Sequence, residues 1–199
     1  YINKEDAASP KTMTESIIMT AVIDAYQGRD VMTADIPNAF VQTEIDPSGE
    51  RIFMKIRGAL VDMLVEMAAE IYQDFVTYEG GNKVLYVRNL KALYGMLTSS
   101  LLYYKKFKKD IESIGYLINP YDPCVANKTV SGKQHTITWH VDDLKASHVD
   151  AKVNDGFLEW LKKTYGDEEI GKVKAVRGPI HDYLGMTLDF TKSRVLKLD

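Results

Sequence analysis

The sequence predicts an α+β fold: an antiparallel sheet, ferredoxin-like in its core, with helices packed on one face. Three observations predict it. Short runs alternate apolar and polar residues, as half-buried strands do; Ile52, Met54 and Ile56 share one face, and Ile137, Trp139 and Val141 share another. Longer runs carry apolar residues at helical spacing and stop at glycine. The two kinds are mixed in the order helix, strand, helix, strand, helix, hairpin, helix, strand, which suits one sheet with helices laid against it.

Taken in order, Ser9-Pro10 suits an N-cap with proline at the first helical position, and Thr12 with Glu15 offers a rival capping box. A helix over 10–27 follows, with Ile17, Ile18, Val22 and Tyr26 inward and Gly28 as its stop. Residues 31–35 read as a strand that must end before Pro37, which lacks a backbone donor. Residues 36–43 form a turn or short helix, and Asp46-Pro47-Ser48-Gly49 a turn. A strand over 51–56 leads past Gly58 into a second helix carrying Leu60, Leu64, Met67, Ala68, Ile71 and Phe75. Gly80-Gly81 turns the chain into a strand over 84–87, and a loop around Tyr94-Gly95 leads to a third helix over 98–114. Ser99 or Ser100 is its candidate cap, with Leu101, Leu102, Tyr104, Phe107, Ile111 and Ile114 inward. After the stiff Asn119–Pro123 connector come a strand over 124–130, a hairpin over 136–148 and a fourth helix over 151–165. Strand-like runs at 173–176, 183–190 and 195–198 close the chain.

Length and composition set limits. One domain is the expectation for 199 residues, and 45% hydrophobic with 27% charged residues is ordinary for a globular chain. The lone Cys124 rules out an internal disulfide and suits a reducing, intracellular setting as a small buried residue. No apolar run approaches the roughly 20 residues of a membrane span, and the first residues, YINKEDAASPK, contain no signal-peptide apolar region. With a net charge of −3, nucleic-acid binding would have to rest on a local basic face.

The chemistry concentrates at TITWHVDDLKASH, residues 136–148. Asp142 and Asp143 stand side by side at the tip of an apolar hairpin, where Asn-Gly or Asp-Gly is favoured. A broken turn rule at such a place points to function, and adjacent carboxylates suit a hard divalent cation. The plain alternative is a solvated acidic turn. Asp35 ends another strand, so neighbouring strands would gather three carboxylates at one sheet edge.

DVMTADIPNAFVQTEI, KALYGMLTSSLLYYKKF, NPYDPCVANK, WHVDDLKASH and HDYLGMTLDF, in this order and spacing, resemble the reverse transcriptase of copia-type LTR retrotransposons. The resemblance runs from about Ser9 to Phe190. It implies a polymerase palm with part of the fingers and an RNA-directed DNA polymerase. It makes Asp35, Asp142 and Asp143 the catalytic acids, which with the Ile36 carbonyl would hold two Mg²⁺ ions about 3.5–4 Å apart, replaceable by Mn²⁺. Phe40 matches the aromatic steric gate against a ribose 2′-hydroxyl. Tyr94, Gly95 and Thr98 fall where the nucleotide is bound. His140, Tyr183, Leu184, Gly185, Met186, Lys105 and Lys109 fall where primer and template are contacted.

The implied partners are an RNA template, a DNA primer strand, dNTP, and the RNase H and integrase regions of the same polyprotein, with no membrane. The implied location is a cytoplasmic virus-like particle, and the nucleus. The family's basic finger residues would precede Tyr1 and its thumb would follow Asp199, so the chain is expected to be a polyprotein fragment. Two departures stand out: Leu97-Thr98-Ser99-Ser100 replaces the usual Lys-Gln and Pro, and His140 replaces the usual Tyr of YVDD. Lys162, Lys163, Lys172 and Lys174 are all candidates for the lysine that would protonate pyrophosphate. The alternatives are a silent remnant that binds nucleic acid weakly, and a nucleotide cyclase on a similar sheet.

Overall fold

The computed structural model describes residues 8–49, 51–167 and 169–199. The first seven residues, with the reading that they hold no signal segment, lie outside the described residues. Among the described residues five α-helices and three antiparallel sheets form an α+β fold.

The main sheet is built on β1 (Asp30–Asp35), β7 (Lys133–His140), β8 (Asp143–His148) and β9 (Lys174–Arg177). Their spatial order is β7-β8-β1-β9, every pair antiparallel. Helix α4 (Ser99–Ser113) lies between β1 and β7 in the chain, and α5 (Ala151–Tyr165) between β8 and β9. That is the ferredoxin-like arrangement the sequence predicts. β5 (Leu117–Ile118) and β6 (Val125–Val130) extend the sheet beyond β7.

Alternation along the strands divides the sheet into two faces. Met32, Ala34, Ile137, Trp139, Leu144 and Ala146 join Tyr103, Phe107 and Ile111 of α4 and Phe157, Leu161 and Tyr165 of α5 in one buried cluster. The opposite face is covered as well, which corrects the expectation of helices on one face only. Helix α1 (Thr14–Gln27) lies there with the hairpin of β10 (Ile180–Tyr183) and β11 (Met186–Asp189). Ile17 and Ala21 of α1 pack on Tyr183 and Leu188.

Several sequence expectations are corrected. Helix α1 begins at Thr14, and neither Ser9 nor Thr12 caps it. Instead the Met13 N–H donates to Asp122 Oδ2 at 2.9 Å, so a distant loop meets the open helix end. Its buried face is Ile17, Ala21, Asp24 and Ala25, while Val22 and Tyr26 are exposed. Small alanines let the helix approach the sheet, and Asp24 is held by charge partners. The second predicted helix breaks at Ala68 into α2 (Ala59–Met67) and α3 (Ala69–Tyr72) plus a 3-10 turn, and only Val61 is buried. α4 has no side-chain cap, because the Ser99 hydroxyl donates to the Leu93 carbonyl. The predicted strand over 183–190 is the β10–β11 hairpin, turning at Leu184-Gly185, and the last run is strand only at β12 (Lys197–Leu198). Between β1 and α4, an insertion carries a sheet of β2 (Phe53–Arg57), β4 (Asn82–Arg88) and β3 (Thr77–Glu79).

Candidate active site

Four strands bring four polar residues into one row. His140 of β7 pairs with Asp143 of β8, Asp143 with Asp35 of β1, and Asp35 with Lys174 of β9. Directly opposed residues of antiparallel strands point to the same face, so the order across the sheet is His140, Asp143, Asp35, Lys174. Asp143 and Lys174 are exposed and Asp35 and His140 half-buried. The row lies on the α1 side of the sheet, one step beyond the β10 strand. There Tyr183 is buried and its hydroxyl donates to the Thr138 carbonyl at 3.2 Å, while Thr33 Oγ1 meets His181 Nδ1 at 3.1 Å. A cavity of about 260 Å³ opens beside the row, lined by Asp35, Asp143, Lys174, Asp182 and Tyr183 among others.

Asp142 stands in the two-residue loop that joins β7 to β8. Its carbonyl accepts the Ile36 N–H at 3.1 Å, tying the acidic turn to the residue after Asp35. The turn needs a positive φ, and Val141 supplies it at 57°. A β-branched residue there is strained, by about 1–3 kcal/mol. Asn38 and Leu184, in the other two loops around the row, also have positive φ. Asn38 is held by its side-chain amide, which donates to the Ile170 carbonyl at 2.7 Å.

The acids are crowded. Partial burial and then the Asp35 charge push the Asp142 carboxyl above its ordinary value, against its own backbone hydrogen bond and His140. Burial, then Asp142 and Asp35, push Asp143 upward also. Among the described residues no three His, Cys, Asp or Glu side chains close into a metal cage. The oxygen-bearing groups at this edge are the two carboxylates of facing residues Asp35 and Asp143, with Asp142 on the adjoining turn hydrogen-bonded through its carbonyl to Ile36. That suits Mg²⁺, which commonly takes one or two carboxylates and leaves its remaining positions to water and substrate phosphates.

An aromatic wall stands on the Asp142 side. Phe40 is half-buried; its ring centroid lies 4.6 Å from that of Tyr94 and 6.3 Å, edge-on, from that of Tyr103. Tyr94 is 60% exposed, and its hydroxyl pKa is raised by burial first and then by Asp142 and Asp35. Gly95 follows with φ 91°, and Thr98 begins the approach to α4 without a capping bond. Tyr103, absent from the predicted inner face of α4, is 1% exposed. Its hydroxyl is buried without a hydrogen-bond partner among the described residues, and burial, then Asp142, raise its pKa well above the ordinary value. The signal was present in the i, i+4 series Ser99, Tyr103, Phe107, Ile111.

Other predicted residues lie elsewhere. Lys105 and Lys109 are exposed on the side of α4 away from Tyr103 and Phe107, and the structure does not bring them to the acids. Leu184, Gly185 and Met186 form the tip of the β10–β11 hairpin, where Leu184 and Met186 pack on the α1 cluster. Of the four candidate lysines, Lys174 alone is paired across from Asp35; Lys162 is held by Glu159 at 2.9 Å.

The fold and site thus define an α+β chain with a ferredoxin-like sheet and a row of acids at one end. No family model and no curated protein sequence matches the chain. Among solved structures it is similar to the telomerase of Candida albicans, determined in complex with a TWJ fragment of telomeric RNA. Identity is 13% and TM-score 0.42, over 89% of this chain and 34% of that one. The chain therefore spans about a third of that protein's length, and a superposition this loose fixes neither fold nor activity. Among the described residues no helix is long and apolar enough to cross a membrane.

Proposed function

We propose that the chain is the palm, with part of the fingers, of an RNA-directed DNA polymerase of a copia-type retrotransposon. The observation that carries this reading is the row in which Asp143 faces Asp35, with Asp142 tied to Ile36 beside it. Asp35, Asp142, Asp143 and the Ile36 carbonyl would hold two Mg²⁺ ions, with Mn²⁺ as substitute. Bound there, such ions would supply Lewis-acid activation of a primer 3′-hydroxyl and charge neutralisation on a triphosphate.

The chain's own residues do the rest. Phe40, braced by Tyr103, presents its ring to the sugar of an incoming dNTP and excludes a 2′-hydroxyl. Tyr94 stands over that ring at the mouth of the site, with Gly95 allowing close backbone approach and Thr98 as the polar side chain nearby. Lys174, across from Asp35, is the proton donor best placed for the leaving pyrophosphate. His140 and the Tyr183–Met186 hairpin flank the primer end, and Lys105 and Lys109 offer cations to phosphates farther along the duplex. RNA template, DNA primer, and the RNase H and integrase regions of one polyprotein are the partners this reading carries, inside a virus-like particle.

A silent remnant is the second reading. It is favoured by the 97–100 segment, where Leu97 is exposed and Ser99 is committed to the Leu93 carbonyl, leaving few polar groups for a nucleotide. Primer extension on an RNA template separates the two. Carried in its natural open reading frame, the protein is expected to extend a DNA primer with dNTPs and Mg²⁺. Asp142→Asn should reduce this to background, and Phe40→Ala should admit ribonucleotides. Extension unchanged by Asp142→Asn would defeat the proposal, and no extension by the folded parent would leave the remnant.

A further inference from the structure

Aromatic and cationic side chains share one face of the inserted sheet. The β2–β4 register places Phe53 opposite Arg88 and Lys55 opposite Tyr86. These four side chains share one face, and Lys55 Nζ lies 5.3 Å from the Tyr86 ring centroid. The face is a checkerboard: two rings on one diagonal, two cations on the other. Both rings face solvent, Phe53 at 53% and Tyr86 at 49% exposed. Arg57, in the next row of the same face, adds a third cation. Glu79 lies on it too; it pairs with Lys55 and accepts the Tyr86 hydroxyl at 2.6 Å. Arg57 and Arg88 form no ion pair among the described residues, and Arg88 Nη2 donates only to the Pro47 carbonyl at 3.3 Å. An acidic chain thus carries a local basic face, studded with aromatics.

We infer that this face binds a single-stranded nucleic acid. Rings on a sheet diagonal stand about 7–8 Å apart, a spacing that suits two splayed neighbouring bases. Each base has a π-face, so stacking on Phe53 and Tyr86 needs no particular sequence. Arg57, Arg88 and Lys55 would meet the phosphates between and beside them. A duplex hides its base faces and gains nothing from exposed rings. The cations between the rings favour a partner that carries regularly spaced negative charge as well as flat faces, which a single strand supplies. The inference extends the polymerase reading by giving the strand that enters or leaves the cleft a seat outside it. It rests on the face's own chemistry.

The test is fluorescence anisotropy of a labelled oligouridylate, with a duplex of equal length and a polyglutamate peptide alongside. The parent should prefer the single strand. Phe53→Ala and Tyr86→Ala should each weaken binding by about 5- to 150-fold, while Phe53→Tyr should preserve it. Arg88→Ala should lower the slope of log affinity against log salt by about 0.7. Circular dichroism checks that these surface variants remain folded. Unchanged binding in the Phe53→Ala/Tyr86→Ala double variant would overturn the inference. So would equal affinity for duplex, no affinity for the oligonucleotide, or binding of polyglutamate alone, which would assign the face to an acidic protein. The polymerase reading fails separately: a parent that binds single strands through this face yet extends no primer keeps this inference and loses the other.

Discussion

Two places on the same sheet face treat charge in opposite ways. At Lys145, two residues along β8 from Asp143, a cation is 1% exposed and fully engaged: its Nζ meets Asp24 Oδ2 at 2.5 Å under α1. Ser147 Oγ donates to the other Asp24 oxygen, and Arg29, also buried, lies 3.7 Å from it. At Asp143 and Asp35, an acid faces an acid, with His140 opposite Asp143 and the exposed Lys174 opposite Asp35 at the two ends of the row. Buried charge persists in a fold only when paired. Charge left facing like charge at a strained turn is a cost to folding, and such costs gather at sites of function.

The largest expected effect is in the paired region. Asp24→Asn leaves Lys145 and Arg29 as two buried, uncompensated cations, and should cost about 3–5 kcal/mol in urea denaturation. Lys145→Met should cost less, because Arg29 still balances Asp24. The reverse order would show that Arg29 does not balance Asp24.

A second paired network lies on the other face. Tyr116 Oη meets His135 Nδ1 at 2.5 Å, and His135 Nε2 meets Asn154 Oδ1 at 2.8 Å. Burial pushes the His135 imidazole down to about 4, from about 6.5 in an unfolded chain. The unfolded state therefore binds the proton first as pH falls. The stability tied to neutral His135 is complete above pH ~6.5 and is lost progressively toward pH ~4, by about 3 kcal/mol across the window. His135→Gln should flatten that part of a stability–pH curve; an unchanged slope would place the acid sensitivity elsewhere.

On the unpaired side, effects should be smaller and opposite in sign. Tyr103→Phe removes an orphaned buried hydroxyl and keeps the ring under Phe40. It should raise stability by about 1 kcal/mol, read as a higher melting temperature, and a drop would show that the hydroxyl has a partner. Asp143→Asn relieves repulsion at a solvent-exposed position, and after screening should stabilise by only a few tenths of a kcal/mol.

Local chemistry was legible in the sequence and long-range register was not. Helix α5 falls on the predicted residues because an aspartate cap, a strong apolar period and Gly166 all agree. The buried face of α1 is hidden from an apolar period because, after Ile17, it is made of alanines and a charged Asp24. The second helix breaks at Ala68, whose φ of −153° and ψ of 69° are not helical, and beyond Val61 the run buries no residue to hold it straight. At the site, the acidic hairpin announced itself by a wrong turn residue, and Asp35 by a strand ending before proline. That Lys174 faces Asp35 depends on β9 returning after α5, and no motif carries it. Tyr103 was visible as spacing but not as an unpartnered hydroxyl, which only packing defines.

Divalent-cation binding by Asp35, Asp142 and Asp143 is the core of the proposed function. Titration of the purified chain with Mn²⁺, followed by electron paramagnetic resonance of the free ion, tests it directly. The parent should take up Mn²⁺ weakly and saturably, Mg²⁺ should compete, and Asp35→Asn and Asp142→Asn should each lose that uptake while Asp24→Asn, if folded, retains it. Equal Mn²⁺ uptake by the parent and the Asp35→Asn/Asp142→Asn double variant would show that these acids do not hold the ion.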